Sequence, residues 1–156
     1  IGRSPIHPLL LVMGKLAFLC CGFFFLIKEI SPASMLYDSW TTSKIGIVLF
    51  FTGFCSITIA VLHLGESVAV GLPERKTVLK THGLYRLTRN PIYLSGFFIC
   101  AGSCLYALHI INFILFALAV FIHHAIIKKE EAFLEKTFGG EWLEYKKRVP
   151  RYFWRL

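Results

Sequence analysis

Long uninterrupted runs of apolar residues dominate the chain and predict helices that cross a membrane. A spanning helix needs roughly 20 apolar residues to cross a hydrocarbon core about 30 Å thick. Lipid offers no partners to backbone groups, so only helices or closed barrels span it, and runs without strict alternation favour helices. The predicted fold is therefore all-α and polytopic. Its four transmembrane helices are residues 9–27, 45–64, 92–108 and 110–127.

The last two spans share one apolar block, residues 92–127, which is too long for a single crossing. At about 1.5 Å per residue the block would form a helix of roughly 54 Å. We therefore predict a tight helical hairpin whose turn lies at residues 107–112, with His109 and Asn112 as its polar members. The first run lacks a small-x-small cleavage site and is interpreted as a true span rather than a signal peptide.

The basic residues predict the orientation of the spans. Of 17 Lys and Arg residues, 13 lie in the connector, residues 65–91, or in the tail, residues 128–156. The positive-inside rule makes this side cytoplasmic, together with both chain termini. The net charge of +8 then has two interpretations: it either sets the topology alone or also binds anionic lipid headgroups. Nucleic acid is not an expected partner, because the basic residues lie beside the spans and no binding module is visible.

Composition narrows the function classes. With 56% hydrophobic and 17% charged residues, the chain is neither an ordinary soluble domain nor disordered. Its five cysteines lie inside the apolar runs and lack zinc-ligand spacing, so they are predicted to be packing residues and no metal site is expected. Gly96, Cys100 and Cys104 recur every four positions, a spacing that favours close helix packing. Neither a nucleophile elbow nor a phosphate-binding glycine loop is present.

The tail is predicted to continue the fourth span and then form an amphipathic helix at the membrane interface. Leu134, Phe138, Trp142 and Tyr145 fall on one helical face, which is typical of a helix lying on the bilayer surface. Gly139-Gly140 is expected to kink or break the helix, and Val149-Pro150 to end it. The predicted interfacial anchors are the aromatic residues Trp142, Tyr145, Tyr152, Phe153 and Trp154.

Glu130 and Glu131 are the most unusual polar residues, because they stand at the cytoplasmic end of the fourth span. Negative charge at a helix C-terminus opposes the helix dipole, so either a new helix starts here or a cation offsets the pair. That cation could be Arg86, Arg89 or a sulfonium or ammonium ligand. A simple solvated pair remains the alternative.

Several ionisable residues inside the spans also need an interpretation, among them His63 near the end of the second span. His123 and His124 are consecutive and point in different directions, so at most one faces a site. Lys15, in the first span, either snorkels to the interface or faces the bundle. An ionisable group at membrane depth is a functional hypothesis by default.

The connector and tail together carry a motif. Residues 79–93 read LKTHGLYRLTRNPIY, and an apolar hairpin separates them from Glu130-Glu131, Leu134, Phe138-Gly139, Trp142, Tyr145 and Val149-Pro150-Arg151. This order and spacing, over residues 77–151, resembles the C-terminal region of the isoprenylcysteine carboxyl methyltransferase and phospholipid methyltransferase superfamily.

The resemblance implies an integral-membrane methyltransferase that uses S-adenosylmethionine, held between the connector and the ends of the last two spans. It further implies that residues 77–80 line the adenosine and that Tyr85 packs against the cofactor. The opposite wall would be residues 90–93, and Glu130 or Glu131 would bind the amino end or the ribose. The full set of implied cofactor residues is Thr77, Val78, Leu79, Lys80, Tyr85, Asn90, Pro91, Ile92, Tyr93, Glu130 and Glu131.

The implied catalytic residues are Arg89 and His124. The family often has an Arg near the end of the last span to hold the acceptor's carboxylate, and His124 and Lys128 are the nearest equivalents here. Asn90 stands where the carboxyl methyltransferases usually have His. The implied acceptor is an isoprenylcysteine-type carboxylate or another small lipophilic or membrane-associated amphiphile. The alternatives are a non-catalytic four-helix scaffold protein and a sterol-reductase-like enzyme.

Overall fold

The computed structural model describes residues 7–31, 35–64 and 78–153, and this part of the chain is built from helices. The elements are α1 (Pro8–Ile30), α2 (Trp40–Leu64), a one-turn 3-10 helix (Gly83–Arg86), α3 (Pro91–Tyr106), α4 (Ile110–Phe138) and α5 (Gly140–Arg148). In the described ranges the extended residues form a single isolated bridge, between Tyr37 and Leu108. The all-α prediction is therefore confirmed.

Three of the helices, α1, α2 and α4, are long and apolar enough to cross a membrane. Their outward faces carry exposed large side chains such as Leu19, Phe51 and Phe121. Extended apolar surface of this kind indicates contact with lipid or a partner. The predicted span 92–108 corresponds to α3, which is apolar but has only 16 residues, about 24 Å of helix. The structure thus has three helices of membrane length and a shorter apolar one.

The connection between α3 and α4 is shorter than predicted. Only residues 107–109 separate the two helices. The predicted turn over residues 107–112 is wrong at its end, because Asn112 already lies within α4 and is buried. Its amide group donates hydrogen bonds to Ser103 Oγ and to the Ala107 carbonyl oxygen, each at 3.3 Å. The polar side chain of Asn112 therefore fastens the two helices together instead of facing water.

Helices α2 and α3 approach each other closely along a line of glycines. A Cβ atom at Gly102 would lie 2.5 Å from the amide nitrogen of Phe50 and 2.7 Å from the carbonyl oxygen of Gly46. A Cβ atom at Gly53 would lie 2.7 Å from the carbonyl oxygen of Ser95. Small residues of this kind let helix backbones meet directly and gain van der Waals contact, which drives helix association in lipid.

We expect Gly102→Ala to destabilise the protein by about 1–3 kcal/mol, the usual cost of overpacking a close contact. The methyl group meets backbone atoms of α2, which cannot move aside as a side chain can. Gly22→Ala is the matched control, because a Cβ there meets nothing within 4 Å. Thermal unfolding in detergent measures both variants. Equal unfolding temperatures for the two would contradict the close α2–α3 contact.

Small residues also pack α1 against α3 and α4. Cys21, Cys100 and Cys104 form a buried cluster, with Cys21 Sγ 2.9 Å from the side-chain oxygen of Asn112. A Cβ at Gly96 would lie 2.9 Å from the Phe18 ring. All five cysteines are free thiols. The predicted packing role of this small-residue stripe is confirmed.

The tail differs from its predicted place at the membrane interface. Gly139, with φ +52°, ends α4, and the chain turns into α5. The turn folds Trp142 and Tyr145 onto Leu79 and Leu134, where Trp142 is only 1% exposed. The prediction that Trp142 and Tyr145 anchor the tail in the interface is wrong, because the protein itself covers them. Trp154 lies outside the described residues.

Candidate active site

One end of the helix bundle gathers the connector, the ends of α3 and α4, and the segment after α5. Backbone and side-chain hydrogen bonds join this segment to the connector: the Arg89 amide donates to the Pro150 carbonyl at 2.9 Å, and Thr88 Oγ1 donates to the Arg151 carbonyl at 2.8 Å. Asn90 Nδ2 lies 3.3 Å from the same Arg151 carbonyl. Residues far apart in sequence are therefore fixed side by side.

Glu131 lies at the centre of a buried ionic cluster formed with Arg89, Asn90 and Arg151. The Arg151 guanidinium donates two hydrogen bonds to Oε2, at 2.8 and 3.1 Å. An Arg89 nitrogen lies 3.2 Å from Oε1, and Asn90 Nδ2 donates to Oε1 at 3.1 Å. The carboxylate is 5% exposed, and both of its oxygens are occupied by protein donors. We call this group the Glu131 cluster.

Asn90 was expected among the cofactor residues, and its position at the start of α3 is that of a helix cap. Its side chain makes no capping hydrogen bond and donates to Glu131 instead. Pro91 fills the first position of α3, where its missing N–H costs nothing. The amide of Asn90 thus links the start of α3 to α4.

Glu130 has a different environment from its neighbour. The Tyr93 hydroxyl donates to Glu130 Oε1 at 2.8 Å. Among the described residues no Lys, Arg or His forms an ion pair with Glu130. Glu130 is half-buried, and a carboxylate withdrawn from water in this way is stabilised by a cationic partner. Of the two adjacent glutamates, Glu131 is therefore neutralised by arginines, and Glu130 is available to a cationic ligand.

The one-turn 3-10 helix brings the connector inward at this end. Gly83 starts it with φ +61°, a left-handed conformation that glycine adopts without strain. The His63 ring packs directly on Gly83, and its Nδ1 accepts a hydrogen bond from the Leu84 amide at 3.4 Å. The end of α2 thus holds the turn in place.

Tyr85 is buried by this turn. The Tyr145 hydroxyl donates to the Tyr85 carbonyl oxygen at 2.6 Å. Burial, with a further contribution from the nearby negative charge of Glu130, raises the pKa of Tyr85 to about 12. The Tyr85 hydroxyl is therefore protonated at neutral pH, and two tyrosines, Tyr85 and Tyr93, accompany the Glu130 carboxylate.

A cleft opens deeper in the bundle between α1, α2, α3 and α4. Its volume is about 430 Å³, within the range of small-molecule sites. We call it the central cleft, and it is lined by Lys15, Phe18, Leu19, Ile57, Ile92, Tyr93, Gly96, Ile99 and His123. The lining is apolar except for Lys15, Tyr93 and His123. Tyr93 belongs to both places, since its ring lines the cleft and its hydroxyl contacts Glu130.

The two histidines of α4 point in different directions, as their spacing predicts. His123 is buried and donates from Nδ1 to the Ala119 carbonyl oxygen at 2.8 Å. The centroid of its ring lies 4.1 Å from that of Phe18, with the two planes tilted by 49°. His124 Nδ1 lies 2.9 Å from the Tyr152 hydroxyl, and His124 is not among the cleft residues. Sequence reasoning favoured His124, whereas the structure brings His123 to the cleft.

The remaining predicted cofactor residues are spread more widely. Val78 is 71% exposed, Leu79 packs against Trp142 and Tyr145, and Lys80 is half-buried. Thr77 lies outside the described residues. Arg151 and Tyr152, which no motif role had singled out, both contact predicted site residues. Position 151 belongs to the matched Val-Pro-Arg pattern, which was the available signal.

Comparison with known proteins gives this arrangement a family. The model of the phospholipid methyltransferase family matches residues 41–141, which include nearly all of α2, the whole of α3 and α4, and both glutamates. No solved structure matches the chain.

Curated relatives carry one name in several organisms. A probable protein-S-isoprenylcysteine O-methyltransferase of Oryza sativa subsp. indica is 31% identical, over 95% of this chain and 81% of the relative. Protein-S-isoprenylcysteine O-methyltransferase B of Arabidopsis thaliana is 32% identical, over 80% of this chain and 65% of the relative. The Rattus norvegicus protein-S-isoprenylcysteine O-methyltransferase is 30% identical, over 81% of this chain and 45% of the relative.

The protein is a bundle of apolar helices with paired glutamates at one end, and the relatives it matches are methyltransferases. It is therefore a membrane methyltransferase. The chain belongs to the integral-membrane family that joins the phospholipid methyltransferases and the protein-S-isoprenylcysteine O-methyltransferases. The family resemblance of the connector and tail motif is thereby confirmed, and the scaffold and reductase alternatives are set aside.

Proposed function

We propose that the protein transfers a methyl group from S-adenosylmethionine to the carboxylate of a prenylated cysteine or a similar lipophilic acid. The observation that carries the proposal is the Glu130 carboxylate, which is bonded to Tyr93 and has no cationic partner in the described chain. S-adenosylmethionine is a cation with an adenine ring and an amino end. An available carboxylate beside two tyrosines suits both its charge and its ring.

The residues around Glu130 have separable tasks. Glu130 would hold the cationic part of the cofactor, and Tyr93, fixed through its hydroxyl, would form a wall beside it. Tyr85 adds a second buried ring that stays neutral at physiological pH. Glu131 would act indirectly, because its cluster with Arg89 and Arg151 fixes the helix end on which Glu130 stands.

The chemistry requires alignment more than proton transfer. When bound, the cofactor would supply an electrophilic methyl group, and an O–C bond to the acceptor would form as the S–C bond breaks and a neutral thioether leaves. A carboxylate nucleophile is already deprotonated and needs no general base, whereas an amine would. The site must therefore hold two reactants in line, a task that can supply about 7–11 kcal/mol of the barrier. This agrees with a sequence that carries no nucleophile elbow.

The proposed topology has four crossings, with the connector and the tail on the cytoplasmic side. Support comes from the contacts that hold residues 88–90 against residues 150–151 at one end of the bundle. The opposite end carries the Lys28–Asp38 ion pair. The shorter α3 would reach across because it is packed against α1, α2 and α4 rather than surrounded by lipid. The cofactor would enter from the cytoplasm and the acceptor sideways from the bilayer.

We expect the protein purified in detergent to bind S-adenosylhomocysteine with a micromolar dissociation constant in calorimetry. With labelled methyl donor and a short S-prenylated cysteine with a blocked amine, the product should be a methyl ester. Alkali releases the label from an ester as volatile methanol, whereas an N-methylated lipid keeps it. Stable label on phospholipid would assign the protein to amine methylation. The absence of binding at millimolar ligand would refute the methyltransferase proposal.

A further inference from the structure

We propose that Lys15 binds the carboxylate of the acceptor inside the central cleft and selects acids over their neutral esters. The inference rests on the proposed function and adds the residue that recognises the acceptor. Among the described residues that line the cleft, Lys15 is the one lysine or arginine. The remaining lining is suited to an apolar chain.

The first argument is the cost of the residue. A lysine in a membrane span is unfavourable, and such residues usually face the bundle or a cavity and mark a ligand site. Lys15 lies about 10 Å along α1 from its start at Pro8. Its long side chain lines the cleft, and the residue is at the same time exposed at the surface of the described bundle.

The second argument is the packing that fixes the position of Lys15. The preceding residue, Gly14, is buried against α4: a Cβ there would lie 2.7 Å from the Ile122 side chain and 3.0 Å from the His123 ring. This contact sets the register of α1 on α4. The lysine is therefore held at the wall that carries His123 and is not free to rotate with the helix.

The third argument is the elimination of other cations. Arg89 and Arg151 are engaged by Glu131. His124, which had been expected to hold the acceptor's carboxylate, lies against Tyr152. Lys128 does not line the cleft, whereas Lys15 does. A carboxylate entering an apolar cleft needs a counter-ion, and Lys15 is the group placed to supply it.

The fourth argument is the connection between the two reactants. The Tyr93 ring lies 5.7 Å from His123 in the cleft, and its hydroxyl contacts Glu130. One side chain thus joins the acceptor's cleft to the proposed cofactor site. With a basic side chain at Lys15 and a carboxyl group at Glu130, each reactant meets a group able to carry the opposite charge. Methylation removes the acceptor's charge, so the ester loses its attraction to Lys15 and leaves.

The test measures binding directly and does not require turnover. The probes are a short S-prenylated cysteine with a blocked amine and the methyl ester of the same compound, titrated into the protein in lipid nanodiscs. We expect the parent protein to bind the acid at least about tenfold more tightly than the ester, in keeping with a hydrogen bond to a charged group. Lys15→Met should bring the two affinities within about twofold, and Lys15→Arg should preserve the preference.

The controls separate this inference from the proposed function. Lys44→Met removes a lysine that stacks on the Trp40 ring at the start of α2, and it should leave the preference unchanged. Lys15→Met should bind S-adenosylhomocysteine as tightly as the parent protein does. If the parent protein itself fails to bind S-adenosylhomocysteine, that result counts against the proposed function and not against the role of Lys15. Equal binding of acid and ester by the parent protein, or an undiminished preference in Lys15→Met, would overturn the role of Lys15.

Discussion

Glu130→Gln is expected to lower the affinity for S-adenosylmethionine about 30-fold or more and to slow methyl transfer by at least the same factor. Hydrogen bonds to charged groups are worth about 1.5–3 kcal/mol, and the substitution removes the charge. The amide oxygen can still accept the hydrogen bond from Tyr93, so the surroundings of the side chain are retained. Calorimetry and a labelled-methyl assay give the two readouts.

The pattern of losses also identifies what Glu130 touches. If it faces the sulfonium, Glu130→Gln weakens S-adenosylmethionine more than the neutral thioether S-adenosylhomocysteine. If it holds the amino end or the ribose, both ligands weaken equally. Glu135→Gln is the control, because Glu135 is paired with Lys146 on the surface, with both side chains more than 40% exposed. Unchanged affinity in Glu130→Gln would remove Glu130 from the cofactor site.

Glu131→Ala is expected to destabilise the protein by about 3–5 kcal/mol, the cost of leaving a buried charge without its partner. The Arg89 side chain is only 7% exposed and would lose its counter-ion. Arg151 would lose both of its hydrogen bonds to the carboxylate. Thermal unfolding in detergent should show a fall of roughly 10 °C, since about 1 kcal/mol corresponds to 2–4 °C in a chain of this size.

The two glutamates serve as each other's controls. Glu130→Gln should unfold close to the parent temperature, and Glu131→Ala should lose stability first and ligand binding only as a consequence. Adding Arg151→Leu to Glu131→Ala should recover part of the stability, because it removes one of the orphaned charges. A Glu131→Ala protein with parent stability and no ligand affinity would reverse the assignment of the two residues.

Hydropathy was sufficient to predict the helices. Runs of apolar residues located α1, α2, α3 and the start of α4 to within about five residues, because spanning helices must pair their backbone groups internally. Helix α4 continues to Phe138, well beyond the predicted end of the span at residue 127. Local chemistry also located some ends, with Pro91 opening α3 and Gly139 closing α4. The turn after α3 was misjudged since Asn112 is polar, and polarity alone does not distinguish a turn residue from a buried residue that joins two helices.

The amphipathic face of the tail shows where periodicity stops being informative. Helical spacing predicts that Trp142 and Tyr145 lie on a face with Leu134. It cannot tell whether lipid or protein covers that face. The answer depends on the positive φ of Gly139, which turns α5 back onto the connector. A membrane-surface helix and a docked helix have the same sequence pattern.

The site was predictable as a group of residues but not as a division of tasks. The motif indicated that Glu130 and Glu131 belong together with residues near position 90. Consecutive residues on a helix point in different directions, and only the tertiary structure shows which one meets Arg89 and Arg151. Lys15 and His123 reach the central cleft from helices that are far apart in sequence, and no single-sequence pattern joins them.

The residues of the Glu131 cluster are synthesised at different times. Arg151 is added 20 residues after Glu131, and its backbone then closes onto the connector through Thr88 and Asn90. Chains are made from the N-terminus, so α4 is synthesised before Arg151, the second arginine that pairs with Glu131. Until then the carboxylate has only Arg89 and Asn90 as partners. The contacts that fix the part of α4 carrying Glu130 are therefore completed last. A chain truncated before Arg151 would contain every helix but would lack the Arg151–Glu131 ion pair.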